Sequence, residues 1–374
     1  MKITAIKLSI LESPDEDRIF GLHNVPGMAR IRWTHSVEKT QPGFVQVLHV
    51  ETDEGIEGIV TVGTQDLRAN LEQLRILVIG ENPLDRERIW QKLHQGTRWV
   101  YRHPGWFAAL DNCLWDIAGK AAGLPVYHLI GRVRESMPCY LNIGGATIEK
   151  AVEDAEKAVE EGFPATKDHF YHDVAENIRW LTAIRKAVGE KIDCMHDPVA
   201  IYTYEEAVRI GRALEELNYR WLEEPLPERL LNRMQQLCNT LDIPILAPET
   251  MMNDVDLSAQ WLISGATDLI RVTAVHGTTS ALKLAHLAEM HGTTVEINGN
   301  GGLYGLVHAH LLSAISNTSY YEYFRGGNSD ENGKEIGLEN PVVPINGHIK
   351  APDGPGWGAV WDFGRFKKKL VATY

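Results

Sequence analysis

The 374-residue sequence predicts an α/β protein in which a (β/α)8, TIM-type barrel follows an α+β unit. Three observations carry that expectation. From Pro138 onward, short apolar strands alternate with helical stretches, and strand starts recur roughly every 25 residues, the period of a βα repeat. Residues 1 to about 60 instead carry period-two runs separated by turn residues, the pattern of antiparallel sheet. A carboxylate also recurs at the end of three successive strands, where a barrel places its active-site rim.

Taken in order, MKITAIKLSILE, IRWTHSV and GFVQVLHVETDEGIEGIVTVG read as a β-meander, with Asp53, Glu54 and Gly55 turning the last two alternating runs. From about Leu67 the spacing becomes helical, and the long helix through Leu110 and Trp115 stops at Gly123 and Pro125. The α+β capping unit is therefore placed at 1–125, with the Gly- and Pro-bent segment from Phe20 to Met28 as a lid within 16–36. The βα repeats occupy 126–328, and no GxGxxG follows an early strand to favour an open doubly wound sheet. Residues 329–374 lack the repeat and are expected to return to the capping unit.

Composition narrows the function. The formal charge of −13 comes without any Lys/Arg-rich run, which argues against nucleic-acid or anionic-membrane partners. No signal-like segment opens the chain, and no apolar run approaches the roughly 20 residues of a membrane span. The cysteines Cys113, Cys139, Cys194 and Cys238 are scattered and form no CxxC, the usage of reduced thiols in a cytoplasm.

Asp197, Glu223 and Glu249 are separated by 26 and 26 residues, so each closes a successive strand at the same phase. Three adjacent anions repel strongly unless a cation sits among them, and an all-oxygen set suits Mg2+. The alternative for each residue is a helix cap. Lys167 and His169 are two apart on one strand, so both face the mouth while Asp168 faces away. A lysine beside a second cation and a metal should have its pKa pushed down toward the range of a general base; a solvated lysine with a structural histidine is the alternative.

The stretch Ala109–Lys120, running on to Gly123-Leu124-Pro125 and Leu129-Ile130-Gly131, resembles the linking helix of the enolase superfamily, in its mandelate racemase-like branch. Trp221-Leu222-Glu223-Glu224-Pro225 is similar to that family's second metal-ligand signature. The resemblance spans nearly the whole chain. It implies a modified (β/α)7β barrel under an α+β cap, with one Mg2+ per subunit held by Asp197, Glu223 and Glu249 and stabilising an enolate formed α to a carboxylate. By position, Lys167 and His169 occupy the Lys-x-Lys of the second barrel strand, with His169 replacing the second lysine. The His/Asp dyad expected on strands six and seven is absent, because Thr273 and Asn298 or Asn300 stand at its positions. His276, three residues past Thr273, is the candidate acid/base for the opposite face.

His196 should point away from its metal-ligand neighbour, and His308 and His310 fall within a helix, packed or exposed. His23 in the lid, Arg102 near Trp99, Tyr101 and His103, and Arg271, Asn298 and Asn300 on the barrel are candidate substrate contacts. The expected activity is a Mg2+-dependent hydro-lyase that dehydrates a sugar acid, an aldonate or aldarate, to a 2-keto-3-deoxy acid. Alternatives are a racemase, epimerase or cycloisomerase, or a barrel that binds sugar acids without turnover. A homo-oligomer is expected.

Overall fold

A computed structural model describes residues 1–13, 20–24, 31–35, 43–62, 67–299, 303–325 and 331–374. Its strands are β1 Ile3–Glu12, β2 Phe20–Asn24, β3 Ile31–His35, β4 Phe44–Thr52, β5 Glu57–Val62, β6 Met137–Ile143, β7 Ala165–Asp168 and β8 Asp193–His196. There follow β9 Trp221–Glu223, β10 Ile245–Ala247, β11 Leu269–Val272, β12 Val295–Ile297, β13 Tyr321–Phe324, β14 His348–Ile349 and β15 Leu370–Thr373. β6 to β13 pair in sequence order, and β13 closes on β6 with Tyr321 opposite Cys139 and Phe324 opposite Asn142. The result is a closed eight-stranded parallel barrel, capped by a four-stranded antiparallel sheet in the order β15-β1-β4-β5.

One expectation about the cap is corrected. The IRWTHSV stretch does not continue a meander, because among the described residues β3 pairs only with β2, in a separate hairpin. Both edges of β1 are already taken, by β4 on one side and by β15 from the chain's far end on the other.

The helix Ala108–Ala122 joins the two units and is buried from Ala108 to Gly119. A Cβ at Gly119 would lie 2.6 Å from the Gly356 backbone and 2.7 Å from Leu124 O, so only glycine allows this approach. Asp116 accepts from the amides of Ile59 and Trp357, each at 3.0 Å, which ties helix, cap sheet and C-terminal segment together. The helix Thr278–Met290 begins after Gly277, which has no capping side chain. Its first donors are satisfied in trans, Thr278 N by Asn112 Oδ1 at 2.9 Å and Thr279 N by Asp111 Oδ2 at 2.8 Å, replacing a local N-cap.

Inside the barrel, Tyr140, Ala165, Met195, Trp221 and Leu246 form an apolar floor. Side chains alternate along a strand, so the next inward positions lie two residues further on. Those positions are Lys167, Asp197 and Glu223, and the alternation stacks a charged layer directly on the floor.

All four cysteines are free, and Cys113, Cys139 and Cys194 are buried. Among the described residues no helix is long and apolar enough to cross a membrane.

His308 and His310, on the helix Leu306–Ala314, are both fully enclosed. His310 accepts from Tyr127 N at 3.2 Å and donates to Trp357 O at 3.1 Å, while His308 accepts from Ala274 N at 2.9 Å and donates to Gly299 O at 2.7 Å. Each pattern requires the neutral ring. Burial pushes both down to about 4 despite their carbonyl bonds. An unfolded histidine titrates near 6.5, so between those values the unfolded chain binds more protons and acid favours unfolding. The effect approaches about 3 kcal/mol per histidine. Urea midpoints should fall steadily as the pH is lowered from 6.5 to 4; a midpoint flat across that window would contradict the neutral-ring assignment.

Candidate active site

Asp197 follows β8, Glu223 ends β9 and Glu249 lies two residues past β10, so the three carboxylates stand on adjacent strands at the C-terminal rim. Lys167, on β7, reaches among them. Its Nζ is 2.9 Å from Glu223 Oε2, 2.9 Å from Glu322 Oε1 and 3.5 Å from Asp197 Oδ2, and it lies 5.3 Å over the Tyr140 ring. His169, next on the same face, places Nε2 3.2 Å from Asp197 Oδ2. Asp168 faces outward and meets His196 Nδ1 at 2.7 Å, so His196 does turn its back on the rim.

Arg271 completes the layer. Its Nη2 donates to Glu322 Oε2 at 2.6 Å and its Nη1 to the Tyr140 hydroxyl at 3.2 Å. Its Nε is 2.9 Å from Glu223 Oε1 and 3.6 Å from Glu249 Oε2. The residue is fully enclosed, which corrects its reading as a substrate contact: it is a buried counter-ion, shut off from the mouth. Asn298 donates to Glu249 Oε2 at 2.8 Å.

Sequence reasoning missed Glu322. It sits in the middle of β13, 1 % exposed, between Lys167 and Arg271. The one signal was a charge inside the otherwise aromatic run Tyr320-Tyr321-Glu322-Tyr323-Phe324. Glu224 and Glu228 were also missed as supports. Glu224 Oε1 accepts from Glu249 N at 2.7 Å, and Glu228 accepts from the same amide and from Thr250 N at 2.8 Å. Together they clamp the backbone that carries Glu249.

Electrostatics follow from burial. Charges this enclosed persist only when paired. Burial alone would raise Glu322, but Arg271 and Lys167 outweigh it and hold the carboxyl far below its ordinary range. His169 and Lys167 likewise overcome burial to hold Asp197 at about 2. Around Lys167 itself, burial and Arg271 would depress the pKa, but Glu223 and Glu322 carry it well up; the expected lowering was that of a lysine beside a bound metal. Burial, only partly offset by Arg271, combines with repulsion from Glu223 and Asp197 to push Glu249 up to about 7.

Four carboxylates thus crowd around two fixed cations, Lys167 and Arg271, and burial, which these cations only partly offset, raises Glu223 as well as Glu249. Glu223 Oε1 and Arg271 Nε, 2.9 Å apart, are both enclosed and meet as an ion pair without a hydrogen bond. An all-oxygen set of crowded carboxylates fits a hard divalent cation. As oriented around the two cations, the carboxylates do not yet gather on one point: among the described residues no three His, Cys, Asp or Glu converge as a metal cluster.

The other candidates lie apart. His276, in the short 3-10 turn Ala274–His276, has an enclosed Nδ1 without a partner. Burial and its neighbour His103 push it down to about 4, and no carboxylate of the layer acts on it. Arg102 is exposed on the cap and donates to Asn70 Oδ1 at 2.8 Å. His23 lies on β2 opposite Arg32, but its side chain is outside the described residues. So are Asn300 and most of the expected lid, of which only the β2 and β3 backbones are described.

The family model described as the mandelate racemase/muconate lactonizing enzyme N-terminal domain matches residues 27–131, and the one described as enolase C-terminal domain-like matches 150–365. The chain is 30% identical over 293 residues to the L-talarate/galactarate dehydratase of Salmonella typhimurium, covering 74% of this chain and 72% of that protein. It is 28% identical over 303 residues to the D-galactarolactone cycloisomerase of Agrobacterium fabrum, covering 75% and 79%. Among solved structures, D-glucarate dehydratase from Agrobacterium tumefaciens, complexed with magnesium, superposes with a TM-score of 0.86 at 29% identity and covers all of both chains.

Proposed function

Because the chain belongs to the mandelate racemase/muconate lactonizing enzyme branch of the enolase superfamily, we propose that it is a Mg2+-dependent sugar-acid dehydratase. Its substrate would be an aldonate or aldarate, its product a 2-keto-3-deoxy acid, and its metal one Mg2+ per subunit held by Asp197, Glu223 and Glu249. The observation that carries this reading is the crowding of Asp197, Glu223, Glu249 and Glu322 in one layer, where Glu223 and Glu249 are raised and Lys167 and His169 share one face. Bound there, Mg2+ would supply positive charge against the anion that develops on the substrate carboxylate.

His169 is the base in this proposal. Its side chain is 15% exposed, whereas that of Lys167 is 1% exposed and walled in by Glu223, Glu322 and Tyr140. Burial would depress the pKa of His169, but without metal Asp197 outweighs burial and raises it. With Asp197 committed to the metal, His169 would be released as a neutral base; its Nε2 would take the C2 proton, and the C2–H pair would become the C1–C2 double bond of the enediolate. When that pair moves on to form C2–C3, the C3–O bond breaks; the 3-hydroxyl takes up the proton held by His169 and leaves as water. The resulting enol ketonises. Lys167 stays charged beside the carboxylates and adds positive potential to the layer. Across the mouth, Asn298 carries an amide that moves no proton, and this favours elimination over a racemase that needs a proton carrier on each face.

A second reading, cycloisomerisation or epimerisation, draws on the cycloisomerase relative and on the unpartnered Nδ1 of His276. Proton NMR of aldonates and aldarates incubated in D2O with Mg2+ separates the two. Dehydration should yield a new C3 methylene signal in at least one substrate. Deuterium at C2 with the carbon skeleton's hydroxyls intact would favour the second reading and overturn the first.

A further inference from the structure

The seam between cap and barrel holds a second cleft of about 480 Å3, which shares no residue with the carboxylate layer. Leu84, Trp115 and Thr279 wall it. The Arg86 guanidinium lies 4.1 Å over the Trp115 ring. Its Nε is enclosed without a partner, and Arg86 makes no ion pair or hydrogen bond to any described residue.

The neighbouring charges are otherwise engaged. Glu87 accepts from Lys283 at 2.7 Å and Gln91 at 2.8 Å, and Arg88 pairs with Glu81 and, at 3.8 Å, with Asp85. The buried Asp111 directs its oxygens to Thr279, accepting from N at 2.8 Å and Oγ1 at 2.6 Å. Arg86 is left as the cation of the cleft with no hydrogen-bonded acceptor, the buried Asp111 acting on it only through space. Stacking on Trp115 fixes the guanidinium plane and leaves its N–H edges free. Paired, coplanar donors match two oxygens of one planar or tetrahedral oxyanion, and an enclosed donor without an acceptor is unfavourable until one arrives. The volume falls within the roughly 300–1,000 Å3 of small-molecule sites.

We propose that this cleft is a binding site for a small oxyanion, a carboxylate or a phosphate, gripped by Arg86 against Trp115. The site is independent of the dehydratase reading. Occupancy would bear on the barrel through Thr279, whose Oγ1 accepts from Trp115 Nε1 at 3.0 Å at the start of the helix that follows His276.

The test titrates the full-length protein, in EDTA and at constant ionic strength, with malonate and separately with inorganic phosphate, reading the melting temperature. A saturable rise with at least one probe is expected, and the probe that gives it identifies the oxyanion class. Arg86→Gln should weaken the response at least tenfold. Leu84→Trp, which fills the cleft and keeps the guanidinium, should do the same and decides the matter if Arg86→Gln does not fold. Glu223→Gln should titrate like wild type. No saturable response in the wild type, or curves unchanged by Arg86→Gln or Leu84→Trp, overturns the proposal.

Discussion

Glu223→Gln is expected to lower kcat/KM by about 10³ or more, a loss of roughly 4 kcal/mol of transition-state stabilisation, while the chain still folds. Glu223 is the most contested residue of the layer. Lys167 and Arg271 each approach it to 2.9 Å, and its Oε1 lacks a hydrogen-bond partner. The amide keeps the shape, and Asp197, Glu249 and Glu322 remain to balance Lys167 and Arg271 while burial already holds the Glu223 carboxyl above its ordinary range, so stability without metal should fall less than when a cation is removed. The metal-dependent part should change a great deal. Wild type should gain about 2.7 kcal/mol of stability in Mg2+ at a hundred times its Kd, and the variant should lose that gain together with its activity. EDTA should abolish turnover of the wild type, and added Mg2+ should restore it. Full activity in protein shown to be metal-free would remove the metal from the reaction altogether.

The parts of this site visible in the sequence were those that repeat. Asp197, Glu223 and Glu249 recur once per βα unit, so their spacing alone set them on three neighbouring strands. Strand alternation was enough to turn Lys167 and His169 inward and Asp168 outward toward His196. Depth was not visible. Arg271 lies two residues below Thr273 on β11, one layer under the rim, and that single step encloses it as a counter-ion. Glu322 is not marked out by spacing, since Glu296, 26 residues before it on β12, has the same interval yet is held by Thr294 and Ser319, while Asn298 takes the mouth position after that strand. The role of Glu322 depends on ring closure, which brings β13 beside β6 and hence within reach of Lys167 on β7. In the cap, residues 329–374 were expected to return, and what periodicity could not supply was the strand they would join. β15 completes the sheet from the opposite end of the chain, and such a pairing leaves no trace in local periodicity.

His169→Asn is expected to reduce turnover by about 10²–10⁴, the usual contribution of one general acid or base, and to abolish exchange of the substrate C2 proton with D2O. Asparagine retains a donor toward Asp197, now 3.2 Å from His169 Nε2, so metal affinity, read as the Mg2+-dependent rise in melting temperature, should persist. Lys167→Met should behave differently. It strips the cation from between Glu223 and Glu322 and leaves carboxylates facing one another across a site that is 1% exposed. Breaking a buried pair in this way costs about 3–5 kcal/mol, so the loss should appear first in the melting temperature measured without metal. High Mg2+ should recover part of that stability by replacing the missing positive charge. The decisive comparison is C2 exchange in the two variants under saturating Mg2+. Exchange retained by Lys167→Met and lost by His169→Asn assigns the base to His169. The opposite pattern would move the base two residues down the strand, to Lys167. Retention in both, with loss only in His276→Asn, would place proton abstraction on the far side of the mouth, where a group on each face of C2 makes the epimerase and cycloisomerase chemistry accessible.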